Sequence, residues 1–314
     1  MITLGPVSIL VPVHNGAKSL PELAKRLAQV LPAIDPRSEV IFIDDGSRDD
    51  SVEVARRLRA EYPFLRVLRL LRNYGQHNAL LCGIRHARHP VIVTMDDDLQ
   101  HRPEDVPLLL ERLGQGYDLV YGTPEREQHG LWRDIASPLT KLAMRHVLGA
   151  DTATKVSGFR AFRRSITVAL DDFKGPFVNL DVMFTWGTTR VDAVAIKIEP
   201  RTHGTSNYGF WKLAEHAMNM LTGFSVLPLR VASLLGVAFT LFGAAALAYV
   251  LFRYALHGSA VSGFPFLASI IIIFSGTQLF VLGVIGEYLA RMHLRLLGRP
   301  AYALSEELDA AEVR

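Results

Sequence analysis

The chain has 314 residues, 49% hydrophobic and 21% charged, with a mean hydropathy of +0.20, so it holds one ordinary soluble domain and an apolar excess besides. A net charge of +3 and a pI near 9.0 come without a dense basic stripe, which argues against a nucleic-acid binder and suits anionic lipid or phosphate. Cys82 is the only cysteine, which excludes an intramolecular disulfide and fits a reducing compartment.

Val7–Val13 is an apolar run closed by Pro12-Val13-His14-Asn15-Gly16 and predicts a strand leading into a loop. Leu20, Leu23, Leu27 and Leu31 fall at helical spacing within Lys18–Leu31. Glu39–Asp44 predicts a second strand, closed by Asp44-Asp45-Gly46-Ser47. Asp49–Tyr62 is amphipathic, and Leu65–Leu70 is a third strand. Asn73–Ala87 predicts a loop and helix, Pro90–Met95 a fourth strand, Glu104–Leu113 a helix and Asp118–Tyr121 a fifth strand. Val156–Phe162 and Val191–Ile198 predict two more. Strands alternating with such helices predict an α/β fold with a mostly parallel sheet. Ligands of such sheets sit off the carboxyl ends of the strands. The polar clusters Pro12–Asn15, Asp44–Ser47, Arg72–Gln76 and Asp96–Gln100 all fall at such ends.

Leu131–Leu148 and Phe210–Leu227 are amphipathic, and the second, with Trp211 and Lys212, suits either a membrane interface or the sheet. Val231–Phe252 and Phe264–Gly286 carry no charge over 22 and 23 residues; about 20 apolar residues span a bilayer as a helix. Joined by Arg253–Gly263, they predict a transmembrane hairpin. Met1–Gly5 lacks the basic start and apolar core of a cleavable signal. Arg230 precedes the hairpin and Arg291, Arg295 and Arg299 follow it, against Arg253 in the loop, so the N-terminal domain and both termini are expected in the cytoplasm. The plan is thus an α/β domain over 1–207, a juxtamembrane helix over 208–228, a hairpin over 229–290 (spans at about 229–253 and 264–288) and a tail over 291–314, of which Ala301–Arg314 is short, charged and loose.

The fourth strand runs into Met95-Asp96-Asp97-Asp98-Leu99-Gln100-His101. Three adjacent carboxylates repel one another in a partly dry site, and a cation removes that cost. In extended backbone Asp96 and Asp98 share a face with the Gln100 amide, while Asp97 points away. Hard ions such as Mg²⁺ or Mn²⁺ take oxygen ligands, often one or two carboxylates plus substrate phosphates. The alternative is a solvated acidic turn before a helix begun by Pro103. Asp44 and Asp45 offer acceptors for a base N–H or ribose hydroxyls, or else cap the following helix. Arg72-Asn73-Tyr74-Gly75-Gln76-His77 supplies a fixed cation and amides for a diphosphate. Walker A and G-x-G-x-x-G motifs are absent, which leaves P-loop and dehydrogenase chemistry unsupported.

In this order Val11-Pro12-Val13-His14-Asn15, Ile43-Asp44-Asp45-Gly46-Ser47, Arg72–His77, Asp96-Asp97-Asp98-Leu99-Gln100 and Ser157-Gly158-Phe159-Arg160 resemble glycosyltransferase family 2, whose fold is GT-A (Rossmann-like). With Arg201–Tyr208, the hairpin and Gly286-Glu287-Tyr288, the likeness narrows to the polyprenyl-phosphate branch: dolichol-phosphate mannose synthases and undecaprenyl-phosphate glucosyl- and formamido-arabinose transferases. The Asn73–His77 wording and Arg299-Pro300-Ala301-Tyr302 lean toward the last.

The resemblance implies inverting transfer from a nucleotide sugar, UDP-linked by preference, to polyprenyl phosphate at the cytoplasmic face of the inner membrane. The donor would meet Pro12, Val13, His14, Asn15, Asp44, Asp45, Arg72, Asn73, Gln76, Asp96 and Asp97. Mg²⁺ or Mn²⁺ would sit at Asp96, Asp98 and Gln100. The acceptor phosphate would meet Arg160, Arg201, Ser206 and Tyr208. The catalytic set would be Asp98, Asp96, Arg126, Arg133 and Arg201. Nucleic acid is not an expected partner; the lipid bilayer is, and a homo-oligomer is compatible. A phosphate monoester is already anionic near neutral pH, so it needs little general base, and the hard part is charge on the leaving diphosphate. Arg126 and Arg133 can close over the donor, although a surface salt bridge is as ordinary a role for each arginine.

Three positions depart from the branch. Gly16 stands where an acidic residue is common, Thr154-Lys155-Val156-Ser157 where an Asp is usual nearby, and Asn207 where Lys is common. The rivals are a GT-A synthase with another acceptor and a non-catalytic lipid-binding scaffold. A processive synthase would carry Gln-x-x-Arg-Trp and more spans, both absent.

Overall fold

The structure is a computed structural model that describes residues 4–125, 155–171, 173–175, 177–200, 222–223, 225–257 and 264–308. The chain divides into two compact units, Met1–Ala214 with Gly298–Arg314, and Glu215–Leu297.

The first unit is built on a sheet of eight strands in the order β7-β5-β6-β4-β1-β2-β3-β8. The strands are β1 Val7–Val13, β2 Glu39–Asp44, β3 Leu65–Leu70, β4 Val91–Thr94, β5 Leu119–Pro124, β6 Arg160–Arg163, β7 Val191–Ile196 and β8 Leu304–Leu308. β1 pairs in parallel with β2 and β4, β2 with β3, and β5 with β7. β6 runs antiparallel between β4 and β5, and β8 antiparallel to β3, so the sheet is mixed. Every residue of β1, β2 and β4 is buried, as strands covered on both faces must be.

The helices α1 Leu20–Ile34, α2 Ser51–Glu61, α3 Gln76–His86 and α4 Val106–Gly114 alternate with these strands. α1 buries Leu20, Leu23, Ala24, Leu27, Val30 and Leu31, one stripe at helical spacing; each such leucine contributes roughly 1.5–3 kcal/mol on burial. Because β2 and β3 lie on one side of β1 and β4 on the other, strand order reverses at β1/β4, and in open α/β sheets ligands bind off the carboxyl ends of the strands at such a point.

Three results differ from the sequence reading. The strand expected from Val156 begins at Arg160, because the Gly158 carbonyl is turned aside to accept the Thr94 hydroxyl at 2.7 Å. Two short helices, α5 Val168–Asp171 and α6 Leu180–Gly187, were not anticipated. The tail is not loose throughout: Leu304–Leu308 is β8, tied to β3 by its ladder and by the ion pairs Arg56–Glu306 and Arg66–Glu307, each 2.6 Å. The amphipathic stretch Leu131–Leu148 lies outside the described residues, as does Phe210–Leu227 apart from 222–223 and 225–227.

The second unit contains α7 Leu227–His257 and α8 Phe264–Leu296. Within Leu227–Leu256 and Ile273–Leu296 an 18-residue stretch is strongly apolar and has no buried residue, with hydropathies of 2.2 and 1.4. Helices that present leucine and phenylalanine all round have no face for water, so these are two candidate membrane spans. They pack where Gly243 leaves room for the Phe274 ring, which meets Phe239 edge-on at 5.9 Å. α8 outlasts its predicted end because Glu287 and Arg291 pair at 2.8 Å one turn apart and carry the helix into polar sequence.

Candidate active site

Four loops leave the carboxyl ends of β1, β2, β3 and β4, and the first three are bolted together through backbone groups. Asn15 sits at φ 57°, a conformation asparagine tolerates; its amide donates to Ser47 Oγ at 3.0 Å and its side-chain oxygen accepts from the Arg48 amide at 2.8 Å. His14 Nδ1 donates to the Asp45 carbonyl at 3.0 Å, and the Asn73 amide lies 3.2 Å from His14 Nε2. Gly46, at φ 65°, has no room for a Cβ against the backbone of Arg72. The Asp45 carboxylate accepts the Tyr74 and Gly75 amides at 2.7 and 2.8 Å. Burial raises the pKa of Asp45, and those two amides pull it back. Of the expected donor residues, Pro12 and Val13 are buried strand ends, and Asp45 is committed to shaping the β3 loop. Asp44 faces the Ser47 amide at 3.4 Å. Arg72 is exposed and lies over the Tyr74 ring at 4.5 Å.

The β4 loop carries the three carboxylates, and each goes a different way. Asp96 Oδ1 accepts from Gln76 Nε2 at 2.6 Å, while its Oδ2 lies 3.8 Å from His101 Nδ1. Asp97 turns toward β1, where its Oδ2 occupies the space a Cβ on Gly16 would need. Asp98 Oδ1 accepts the Gln100 amide at 3.1 Å, closing a turn in which Leu99 has φ 62°. The Gln100 carbonyl accepts the Glu199 amide at 3.0 Å. Burial raises the pKa of Asp96, opposed by His101 and reinforced by Asp98. Burial, then Asp96 and Asp98, push Asp97 up to about 7.

The all-oxygen donor set and its mutual repulsion fit a hard divalent cation that uses one or two carboxylates and completes its shell from phosphate and water. Among the described residues no group of three or more His, Cys, Asp or Glu side chains is gathered for a metal ion.

Arg160, expected at the acceptor phosphate, is turned into the core and is only 1% exposed. Its guanidinium pairs with Asp181, bonds Thr94 Oγ1 at 3.2 Å and lies 5.3 Å from the Phe184 ring centroid. Tyr121 donates to the same Asp181 carboxylate at 2.9 Å. Desolvation lowers the Arg160 pKa, but Asp181 and Tyr121 outweigh it, so the cation is retained. Asp181 and Tyr121 were missed from sequence. The one local signal is Asn179, whose side chain caps α6 by accepting the Val182 amide at 3.2 Å. Arg126, Arg133, Arg201, Ser206 and Tyr208 lie outside the described residues.

Residues 8–170, which hold β1 to β6 and every loop just described, match the profile of "Glycosyl transferase family 2". The chain belongs to glycosyltransferase family 2. It is 33% identical to the undecaprenyl-phosphate 4-deoxy-4-formamido-L-arabinose transferase of Pseudomonas syringae, across 96% of this chain and 90% of that one. Identity to the enzyme of the same name from Edwardsiella ictaluri is also 33%, across 98% and 96%. Among solved structures, the glucosyl-3-phosphoglycerate synthase of Mycobacterium tuberculosis, crystallised with Mn²⁺, UDP and glucosyl-3-phosphoglycerate, superposes with a TM-score of 0.53 over 69% of this chain and 77% of that one, at 18% identity. As a family 2 member with this mixed Rossmann-like sheet, the chain is a glycosyltransferase of GT-A fold.

Proposed function

We propose that this glycosyltransferase moves one sugar, with inversion, from a UDP-linked donor to undecaprenyl phosphate at the cytoplasmic face of the membrane, with a divalent cation at the β4 loop. The observation that carries the reading is the carboxylate turn at the β1/β4 switch point, in a chain whose likeness to undecaprenyl-phosphate transferases runs through both apolar helices.

In this reading the loops of β1 and β2 receive the nucleoside, with Asp44 and Asn15 presenting polar groups and Asp45 holding the β3 loop beneath. Asp96 and Asp98 hold Mg²⁺ or Mn²⁺, with the Gln100 side chain as a further ligand. Bound there, the cation stabilises negative charge developing on the departing diphosphate. Arg72, exposed at the mouth, contributes a fixed positive charge to the same end. Arg201, Ser206 and Tyr208 are proposed for the acceptor phosphate and Arg126 and Arg133 for closure over the donor; Arg160 is reserved for the core. The acceptor arrives as an anion, so the protein has to align it rather than remove a proton from it. The hairpin keeps the active unit beside the bilayer where the polyprenyl chain resides.

Membranes holding the protein, incubated with undecaprenyl phosphate, Mn²⁺ and a panel of UDP-sugars, should yield one glycosylated lipid by mass spectrometry. Asp98→Ala should lower the rate by more than about 100-fold, the scale of losing a main electrostatic stabiliser, while membrane insertion persists. No product from the wild type with any donor would refute the reading and favour the scaffold.

A further inference from the structure

His101 is 9% exposed, and its Nδ1 has no hydrogen-bond partner, although it is aimed at Asp96 Oδ2 across 3.8 Å. A buried nitrogen left unsatisfied is costly, so its persistence calls for a partner in another state of the site. The ring cannot easily turn away. Its face stacks on Phe159, with centroids 5.3 Å apart and planes 19° off parallel. Phe159 is itself wedged against Gly122, where a Cβ would come within 2.7 Å of the ring. On the other flank Gly158 leaves open the space beside Asp96, where a Cβ would stand 3.0 Å from Oδ2. The Asp96 carboxylate is therefore gripped at Oδ1 by Gln76 and faced at Oδ2 by a ring that the Ser157–Arg160 segment holds in place.

We infer that His101, backed by Phe159, is a positioning residue that sets the carboxylate plane of Asp96 for cation and diphosphate, donating from Nδ1 to Oδ2 when the site is filled. The inference rests on the function proposed above. It also gives each member of the Gly158-Phe159 pair a physical role, since the glycine clears the space beside Asp96 and the phenylalanine backs the imidazole. Hydrogen bonds to ligating carboxylates commonly carry 10- to 100-fold in metal affinity.

The test is Mn²⁺ binding to the detergent-solubilised full chain with UDP present, followed by electron paramagnetic resonance of free Mn²⁺, with donor KM and kcat measured alongside. His101→Phe keeps the stack and removes the donor; His101→Asn offers an amide near the former Nδ1. The expected result is a dissociation constant raised about 10- to 100-fold in His101→Phe, most of it regained in His101→Asn, with apparent melting temperatures close to wild type. Phe159→Leu should weaken Mn²⁺ binding less, because the nitrogen stays but wanders. Wild-type affinity in His101→Phe, or equal losses in His101→Phe and His101→Asn, overturns the inference and leaves the function standing. A wild type that binds no Mn²⁺ in the presence of UDP overturns both.

Discussion

Asp181 offers the sharpest test of how the site is supported. Arg160 and Asp181 are 1% and 8% exposed, and Tyr121 donates to the same carboxylate at 2.9 Å. Asp181→Leu would leave a fully buried guanidinium without its counter-charge and a buried phenol without its acceptor. Breaking one side of such a pair costs about 3–5 kcal/mol. In a folded unit of this size each kcal/mol moves the melting temperature by roughly 2–4 °C, so a drop of roughly 10 °C is expected. Replacing both partners, Arg160→Met with Asp181→Leu, removes the stranded charge and should recover more than half of the loss. The assay is the apparent melting temperature of the full chain in detergent, read by intrinsic fluorescence, with donor and acceptor kinetics on the folded fraction. Because Arg160 serves the core, the double variant should keep the wild-type KM for undecaprenyl phosphate. A shift under about 2 °C in Asp181→Leu, or a folded double variant whose acceptor KM has climbed steeply, would refute the reasoning and return Arg160 to the acceptor phosphate.

Gly16→Ala should displace the Asp97 carboxylate and cost about 1–3 kcal/mol as an overpacked site; combining it with Asp97→Ala should give a smaller loss than the two singles summed, measured by a double-mutant cycle on melting temperature. Glu39 is buried, which opposes its charge, yet Ser8, the Arg88 amide and Arg66 outweigh burial and lower its pKa. Its contribution is therefore full above the ordinary glutamate value and lost as pH falls through the lowered folded one, so Glu39→Gln should lower stability at neutral pH and flatten the acid side of a stability–pH curve. Ending the chain at Ala303 removes β8, leaves the β3 edge unpaired and strips Glu306 and Glu307 from Arg56 and Arg66. Aggregation through that edge should follow, seen as higher-order species in size-exclusion chromatography.

The central strands were legible because burial on both faces writes them as nearly unbroken apolar runs: β1, β2 and β3 begin and end where the sequence places them. The same physics put the four polar loops at strand ends, since a parallel sheet has only one edge where its chain can turn toward a ligand. What stayed hidden depends on partners distant in sequence. Leu304-Ser305-Glu306-Glu307-Leu308 carries its apolar residues at its ends and reads locally as a charged tail; its strand character lies in Arg56 and Arg66, about 240 to 250 positions earlier. Arg160 looked like a phosphate ligand because its motif names the residue and not the side it faces. β6 is sandwiched between β4 and β5, and the answering carboxylate is on a helix that sequence reasoning did not find.

The departure at Gly16 belongs to the same class and shows why a motif is better read as a shape than as a string. An acid missing from the β1 loop is, in one dimension, only a departure from the branch. In three dimensions the space beside Gly16 is filled by the Asp97 carboxylate, delivered from the β4 loop across the switch point. Alternation predicts that Asp97 turns away from Asp96 and Asp98; it does not predict that the Asp97 carboxylate ends beside Gly16 of the β1 loop. A glycine there and an aspartate at 97 thus form one feature. Any substitution that restores a side chain at 16 has to contend with a carboxylate already standing in its place.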